Sequence, residues 1–225
     1  MFETATTKVW TIGKLVALFM LLVIWFTVAV VIGDQALLTN ANGSLLPPIA
    51  ITAVVPVAVF LGLYANSSRF RGFVLAQDIE TLTMLQLWRV IGFVFLMLYA
   101  YGVLPGLFAL PAGIGDVAIG LAAPFVVLHL RRDPNYATSS GLVRFQYLGL
   151  LDFAVAIITA GLSAGAFASL TPGGVTSAPM DVWPLNLFPS FIVPIFIILH
   201  LTVLLKVRKL RRHEASPATA VTQTA

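Results

Sequence analysis

The chain has 225 residues, of which 59% are hydrophobic and only 10% are charged, and its mean hydropathy is +0.98. Because soluble domains carry about 25% charged residues, this composition excludes a water-soluble fold. The net charge of +4 does not indicate nucleic-acid binding, because the basic residues flank apolar segments instead of gathering on one surface. The absence of cysteine excludes disulfides, thiolate metal sites and thiol nucleophiles.

Six apolar segments follow one another along the chain, each near the ~20 residues that a helix needs to cross a hydrocarbon core. They cover residues 15–33, 48–65, 82–104, 112–130, 145–165 and 185–205. Helices are expected, because lipid offers the backbone no hydrogen-bond partner and the alternating pattern of a barrel is missing. The sequence predicts one all-α, six-span membrane bundle over residues 1–212 and a disordered cytoplasmic tail at 213–225.

The first segment is expected to be a retained span and not a cleaved signal peptide. Its apolar stretch of about 18 residues is longer than the 7–15 of a signal-peptide core. Residues 31–36 at its end offer no clear small-x-small cleavage site.

The placement of lysine and arginine predicts that both termini are cytoplasmic, since short cytoplasmic loops carry an excess of these residues. With six spans, twelve of the thirteen basic residues fall on one side, and the connections on the other side have none. A count of five or seven spans would break this alternation. The twelve are Lys8, Lys14, Arg69, Arg71, Arg131, Arg132, Arg144, Lys206, Arg208, Lys209, Arg211 and Arg212.

The three connections on the outer side differ in character. Residues 34–47 and 166–184 are rich in turn-forming Asn, Gly, Ser and Pro and are expected to be solvated. Residues 102–115 have no charge and little polarity. This connection is expected to lie in the interface or to dip back into the membrane.

A polar cluster is predicted in the cytoplasmic half of the bundle. A charge inside a span costs about 2.5–3.5 kcal/mol on insertion scales and is a functional hypothesis by default. At about 1.5 Å per residue, three such groups on three helices lie about 9–12 Å from the inner boundary. Two glutamines lie one to two turns nearer that boundary. The predicted cluster comprises Arg89, Asp152, His200, Gln86 and Gln146.

Three interpretations of this cluster are open. It is a structural clamp in which Arg89 pairs with Asp152, because an unpaired charge in lipid costs more than a paired one. Alternatively, Asp152 and His200 form a relay for a proton or substrate. In the third interpretation, Arg89 reaches the interface without any partner.

Asp116 is predicted to belong to a separate, outer-half site, because it lies about four residues into the fourth apolar segment. Tyr101 and Asn186 are at similar depth and are expected to bond it, which would make a cation or proton entry site. The alternative is that Asp116 occupies the first turn of its helix, where a carboxylate favours the positive end of the helix dipole.

No metal site or cofactor is predicted. A haem held by two histidines would need His129 and His200 at equal depth, whereas His129 belongs at the inner end of its segment. Gly113-x-Gly115 lacks the third glycine and the preceding strand of a dinucleotide-binding motif.

A resemblance rests on Leu85-Gln86-Leu87-Trp88-Arg89-Val90-Ile91-Gly92, on Leu104-Pro105, and on the run from Phe108 to Asp116 with Gly120 and Pro124 beyond. Over these roughly forty residues the chain resembles uncharacterised bacterial multi-pass membrane proteins. The resemblance implies a bacterial inner (plasma) membrane and draws attention to Arg89 and Asp116. It brings no activity, substrate or cofactor.

These features favour a small transporter or permease-like protein, surrounded by lipid, that moves a small molecule or ion. The alternative is a non-catalytic membrane subunit that acts through helix contacts with a partner. A membrane-embedded enzyme comes third, because the chain offers separated carboxylates and histidines without a recognisable nucleophile and base.

Overall fold

The computed structural model describes residues 10–40, 47–164 and 172–214, and within these ranges it contains helices and no strand. This confirms the all-helical prediction. The helices are α1 (Ile12–Asp34), α2 (Ala50–Asn66), α3 (Ser68–Leu75), α4 (Ile79–Ala100), α5 (Gly106–Arg132), α6 (Ser140–Leu162) and α7 (Phe188–Glu214).

Five of these helices, α1, α4, α5, α6 and α7, are long and apolar enough to cross a membrane. A sixth crossing is obtained if α2 and α3 are counted as one broken span, since the two are bent by 109° at Ser67. The bend is built by local hydrogen bonds. The Ser67 hydroxyl accepts from the backbone N–H of Phe70, and the Arg71 guanidinium donates to the last carbonyls of α2, those of Tyr64 and Ala65.

Polar contacts join the start of α1, the α2–α3 bend, the start of α4, the end of α5 and the end of α7. We call this the basic end. Because these contacts use helix starts and helix ends in turn, successive long helices run in opposite directions. The contacts are Lys14 over the Phe73 ring, Arg131 with Glu80, Lys206 with the Gln77 carbonyl, and Arg211 with the Thr138 carbonyl.

The opposite end of the bundle is closed by the connections that follow α1 and α6. The backbone N–H of Asn40 donates to Oδ2 of Asp181 at 2.9 Å. Ser177 donates from its backbone N–H to the Ser163 carbonyl at 3.1 Å and from its hydroxyl to the Ala160 carbonyl at 2.7 Å. These bonds fix the segment before α7 against the last turns of α6.

Helix α1 packs on the outside of the bundle, and its only buried residues are Ala29 and Gly33. Asn186 donates to the Ala29 carbonyl at 2.7 Å, and the Trp25 indole donates to the Ser190 carbonyl at 2.8 Å. On α7, the surface that contacts α1 is the π-helical first turn, Phe188–Ile192.

The centre of α4 is a 3₁₀-helix, Leu85–Gly92, flanked by α-helical turns. A 3₁₀-helix has 3.0 residues per turn, so side chains three apart lie on one face. The buried residues of α4 follow this spacing. From Thr83 onward they are Thr83, Gln86, Arg89, Gly92 and Phe95, and Ile79 and Leu82 are buried before them.

Two predictions at helix boundaries need correction. Residues 106–115 belong to α5, so the prediction of an interfacial or re-entrant connection over 102–115 is wrong. The segment is uncharged because it is a packed helix, in which Phe108, Ala109 and Ala112 are buried. Helix α7 continues to Glu214, and the rest of the predicted tail, 215–225, lies outside the described residues, as do 41–46 and 165–171 of the two outer connections.

Candidate functional site

One guanidinium binds two carboxylates in the middle of the bundle. Arg89, on the 3₁₀ segment of α4, is 1% exposed. Its Nε donates to Oδ1 of Asp116, on α5, at 2.8 Å, and its Nη2 donates to Oδ2 of Asp152, on α6. We call these three side chains the Arg89 centre.

The remaining nitrogen of Arg89, Nη1, lies 3.1 Å from Nε2 of His200 and 3.3 Å from the carbonyl oxygen of Gly149. A guanidinium can only donate, so Nε2 of His200 accepts the bond and the ring proton is on Nδ1. That Nδ1 lies 2.5 Å from Oε1 of Gln146. His200, on α7, is therefore a neutral imidazole held between Gln146 and Arg89.

The flat face of the Arg89 guanidinium stacks on an aromatic ring. Its Cζ is 3.9 Å from the centroid of Phe153, the residue that follows Asp152 on α6. Stacking of this kind is favourable when the cation is shielded from water. The hydrogen bonds that Nε, Nη1 and Nη2 donate, together with this ring, leave the Arg89 side chain with 0% exposure.

The Arg89 centre has one basic and two acidic side chains. Arginine stays protonated in proteins, so the centre carries a net charge of −1 if Asp116 and Asp152 are both ionised. The two carboxylates also differ from the arginine in accessibility, because their side chains are 12% and 11% exposed. The excess negative charge therefore lies where a proton or a cation can reach it.

The carboxylates are accessible because they line a cavity of about 70 Å³. Its walls are mostly apolar and include the aromatic rings of Phe95, Phe108, Phe153 and Phe188. Asp116 and Asp152 lie at its inner limit, while Asp181 lines it near the opposite end of the bundle. The cavity therefore extends from the Arg89 centre toward the end that lacks the basic residues.

Three glycines make room for the Arg89 centre and for the His200 ring beside it. A Cβ added at Gly92 would lie 2.3 Å from Cβ of Asp116, one at Gly115 would lie 1.7 Å from Oδ1 of Asp152, and one at Gly149 would lie 2.2 Å from Nε2 of His200. Real Cβ atoms do not approach this closely. Close approach of backbones through small residues is typical of packed membrane helices.

Residues 46–208 match a family described as a domain of unknown function, DUF8737. The chain belongs to this family. The matched segment holds α2 to α6, most of α7 and every side chain of the Arg89 centre, whereas α1 precedes it. No curated protein and no solved structure matches the chain.

Within the DUF8737 domain, the structure brings together four of the five side chains of the predicted cytoplasmic-half cluster: Arg89, Asp152, His200 and Gln146. The fifth, Gln86, is on the same buried stripe of α4, and its Nε2 lies 3.5 Å from the Phe196 carbonyl. Arg89 does not reach the interface alone, so that interpretation is wrong.

The predicted outer-half site of Asp116, Tyr101 and Asn186 is wrong. Asp116 bonds Arg89, the Tyr101 side chain is exposed at the end of α4, and Asn186 bonds the Ala29 carbonyl on α1. Asp116 is also not in the first turn of its helix, which contains no acidic residue.

The error came from two depth estimates. Helix α5 begins at Gly106, so Asp116 is ten residues, or about 15 Å, inside it and not four residues. The 3₁₀ segment of α4 rises about 2.0 Å per residue, which carries Arg89 deeper than the α-helical rise predicts. Both side chains therefore meet near the middle of the bundle.

The glycines were not recognised in the sequence as parts of the site, although their spacing is a usable signal. Gly92 is three residues after Arg89, Gly115 directly precedes Asp116, and Gly149 is three residues before Asp152. A glycine one helical turn from an intramembrane charge, or next to it, indicates that another helix approaches there.

Proposed function

We propose that the protein is a six-span transporter of a bacterial inner membrane, with both termini in the cytoplasm, which binds its solute in the cavity beside the Arg89 centre. The observation that carries the proposal is the sharing of one fully buried guanidinium by two carboxylates that face this cavity. Intramembrane charges that pair with one another and line a cavity are typical of substrate and ion pathways.

The six-span topology is supported by the broken pair α2–α3 and by the distribution of charge. Helix α2 has 17 residues and so rises about 25 Å, close to the ~27–30 Å of a bilayer core. Counting α2 as a span puts Arg69 and Arg71, on α3, at the basic end with the other flanking lysines and arginines. This end would face the cytoplasm.

A structural clamp explains the geometry less well. A clamp stabilises best when its charges are matched and fully shielded, but here a second carboxylate leaves the centre unbalanced and accessible. Two helices around the cavity also depart from α-helical geometry, α4 at Leu85–Gly92 and α7 at Phe188–Ile192. Such interruptions mark the binding sites of many secondary transporters.

The topology is tested with a reporter that is active only in the cytoplasm. Fused after residue 212, it should be active. Inserted at residue 43 or residue 175, it should be silent, because both positions fall in connections at the opposite end. Activity at either internal position would overturn the six-span arrangement.

Transport requires that the cavity open to each side of the membrane in turn. Since the chain has no cysteine, single-cysteine variants report accessibility without a background. Ala156→Cys places a thiol on the cavity wall. A membrane-impermeant thiol reagent should label it in both right-side-out and inverted vesicles.

Ile158→Cys is the matched control, because Ile158 is on the same helix with its side chain 59% exposed on the outer surface of the bundle, where lipid would surround it. It should resist the reagent from both sides. If Ala156→Cys is labelled from one side only, the protein is a receptor or a scaffold that works through helix contacts, and the transporter proposal fails.

A further inference from the structure

We infer that the cavity binds a small organic cation of the ammonium class, which replaces a proton on the carboxylates of Asp116 and Asp152. The inference rests on the proposed function and deepens it, because it names the ligand of the same cavity. Three observations support it: the charge balance of the Arg89 centre, the two carboxylates that line the cavity, and the aromatic and apolar residues that form its walls.

One additional positive charge would make the Arg89 centre neutral when both aspartates are ionised. With Arg89 protonated and both aspartates ionised, the centre holds one uncompensated negative charge in a low-dielectric interior, which is costly. The cost disappears when one carboxyl binds a proton or when a monovalent cation lies beside it. The two neutral states compete, because a centre that held both a proton and a cation would carry a net charge of +1.

An anion does not fit the cavity. Its positive partner would be Arg89, but the three nitrogens of Arg89 are all bonded and its side chain is 0% exposed. Of the three side chains of the Arg89 centre, Asp116 and Asp152 line the cavity and Arg89 does not. An anion would have to displace both carboxylates before meeting a positive charge.

A divalent metal ion does not fit either. Ca²⁺ and Mg²⁺ take six or more oxygen ligands, and the part of the chain that the structure describes contains no group of three His, Cys, Asp or Glu side chains able to hold a metal. The third carboxylate of the cavity, Asp181, is at its far limit and already accepts the N–H of Asn40.

The walls favour an ammonium group that carries alkyl substituents. Phe95 and Phe188 have ring centroids 4.5 Å apart, and Phe108 is 5.5 Å from Phe95, so one side of the cavity is aromatic. Aromatic faces bind alkylammonium groups through cation–π contacts, and their apolar area accommodates alkyl carbons. The cavity of about 70 Å³ is small, which favours a compact amine over a bulky one.

The test uses the purified full-length protein in detergent and three probes of the same length, n-butylammonium, n-butanol and butyrate, at pH 8. Calorimetric titration should detect saturable binding of n-butylammonium, and thermal unfolding should shift upward with its concentration, since a ligand of the native state stabilises it. Lowering the pH should weaken binding by up to tenfold per pH unit, because protons compete for the same carboxylates.

Asp116→Asn and Asp152→Asn should each weaken n-butylammonium binding at least tenfold. Each variant keeps one carboxylate for Arg89, so both are expected to fold, and a thermal unfolding transition without ligand checks this. Glu80→Gln is the control, because Glu80 pairs with Arg131 on the exposed basic end. It should bind n-butylammonium as the unsubstituted protein does.

Three results would overturn the ligand class: equal binding of n-butanol, preferential binding of butyrate, or n-butylammonium binding that is unaffected by both aspartate substitutions. These results are distinguishable from failure of the proposed function. If Ala156→Cys is labelled from both sides but ammonium does not bind, the transporter proposal stands and the proposed ligand class is wrong. If ammonium binds but labelling occurs from one side only, the ligand class stands and the transporter proposal is wrong.

Discussion

Arg89 and Asp116 are joined by a 2.8 Å ion pair between Nε and Oδ1 across two helices that are consecutive in the chain. The connection between these helices is only residues 101–105, so α4 and α5 form a tight antiparallel hairpin with its ion pair near the middle. Gly92 and Gly120 let the two backbones approach. The pair would be neutral alone, and the approach of α6 with Asp152 gives the centre its excess negative charge.

Gly149→Ala should disrupt the contact between His200 and Arg89. The added Cβ would lie 2.2 Å from Nε2 of His200 and 3.0 Å from Nη1 of Arg89, so both side chains must move. We expect a loss of about 1–3 kcal/mol in the free energy of unfolding, the usual cost of overpacking, measured by denaturant unfolding of the purified protein in mild detergent.

Gly62→Ala is the control for this substitution. Gly62 lies inside α2 with nothing within 4 Å of an added Cβ. Alanine there should leave the stability unchanged or raise it by about 0.5–1 kcal/mol through helix propensity. Equal effects of the two alanines would show that Gly149 does not support the Arg89 centre.

The sequence predicted the positions of the five long apolar helices well, because the thickness of a bilayer fixes how long an apolar run must be. The observed bounds differ from the predicted ones by a few residues for most helices. The largest differences are at the start of α5 and the end of α7, at Gly106 and Glu214. At the end of α7 the lysines and arginines of 206–212 lower the hydropathy although the helix continues, whereas the start of α5 is apolar and is obscured by its glycines and prolines.

The depth of Arg89 inside the membrane was predicted less well, because the prediction assumed a uniform α-helical rise along α4. The 3₁₀ segment of α4 could have been suspected from the three-residue spacing of Thr83, Gln86, Arg89 and Gly92. No pattern in the sequence showed that Asp116 and Asp152 share one guanidinium. That arrangement depends on how α4, α5 and α6 pack together, and single-helix periodicity carries no such information.

His200 should be a neutral Nδ1–H tautomer. Its Nε2 accepts from Arg89 and its Nδ1 donates to Gln146, which fixes both ring nitrogens. Nitrogen-15 NMR of histidine-labelled protein should show the Nδ1-protonated pattern for the buried ring. Gln146→Leu, which removes the acceptor, should shift the Nδ1 signal. An Nε2-protonated or doubly protonated ring would contradict the assigned hydrogen bonds.

Asp181 should make stability depend on pH. Burial raises the pKa of this carboxyl above 3.8, and the hydrogen bond from the Asn40 N–H opposes the rise in part. The folded state therefore holds the proton more tightly than the unfolded state, so the contribution of Asp181 to stability is largest at low pH and is lost as the pH rises from about 4 through the folded pKa.

Asp181→Asn should remove that part of the pH dependence while its side-chain oxygen still accepts from Asn40. Thermal unfolding between pH 4 and pH 8 should show a smaller decline for the variant than for the unsubstituted protein. Asp181→Leu, which also removes the acceptor, should lower the free energy of unfolding by about 1 kcal/mol at every pH, since the hydrogen bond from the Asn40 N–H is lost. An unchanged pH profile for Asp181→Asn would contradict the assignment.

The contributions of Asp116 and Asp152 to stability should depend on each other. Asp116→Asn leaves Arg89 paired with Asp152, and Asp152→Asn leaves it paired with Asp116, so each single variant has a neutral ion pair. We expect each single variant to lose only about 1 kcal/mol in the free energy of unfolding, which is the net contribution of one hydrogen bond. The double variant leaves a buried guanidinium without a carboxylate, which should cost about 3–5 kcal/mol.

The loss in the double variant should therefore exceed the sum of the two single losses by more than about 1 kcal/mol, a coupling that only side chains in one network show. Denaturant unfolding at pH 7 in one detergent measures all three variants. The comparison pair is Arg131 and Glu80, an exposed ion pair at the basic end, whose single and double glutamine variants should each lose less than about 1 kcal/mol. Additive losses at Asp116 and Asp152 would mean that Arg89 does not need either carboxylate, and the centre would then be neither a charge network nor a site at which a cation and a proton compete.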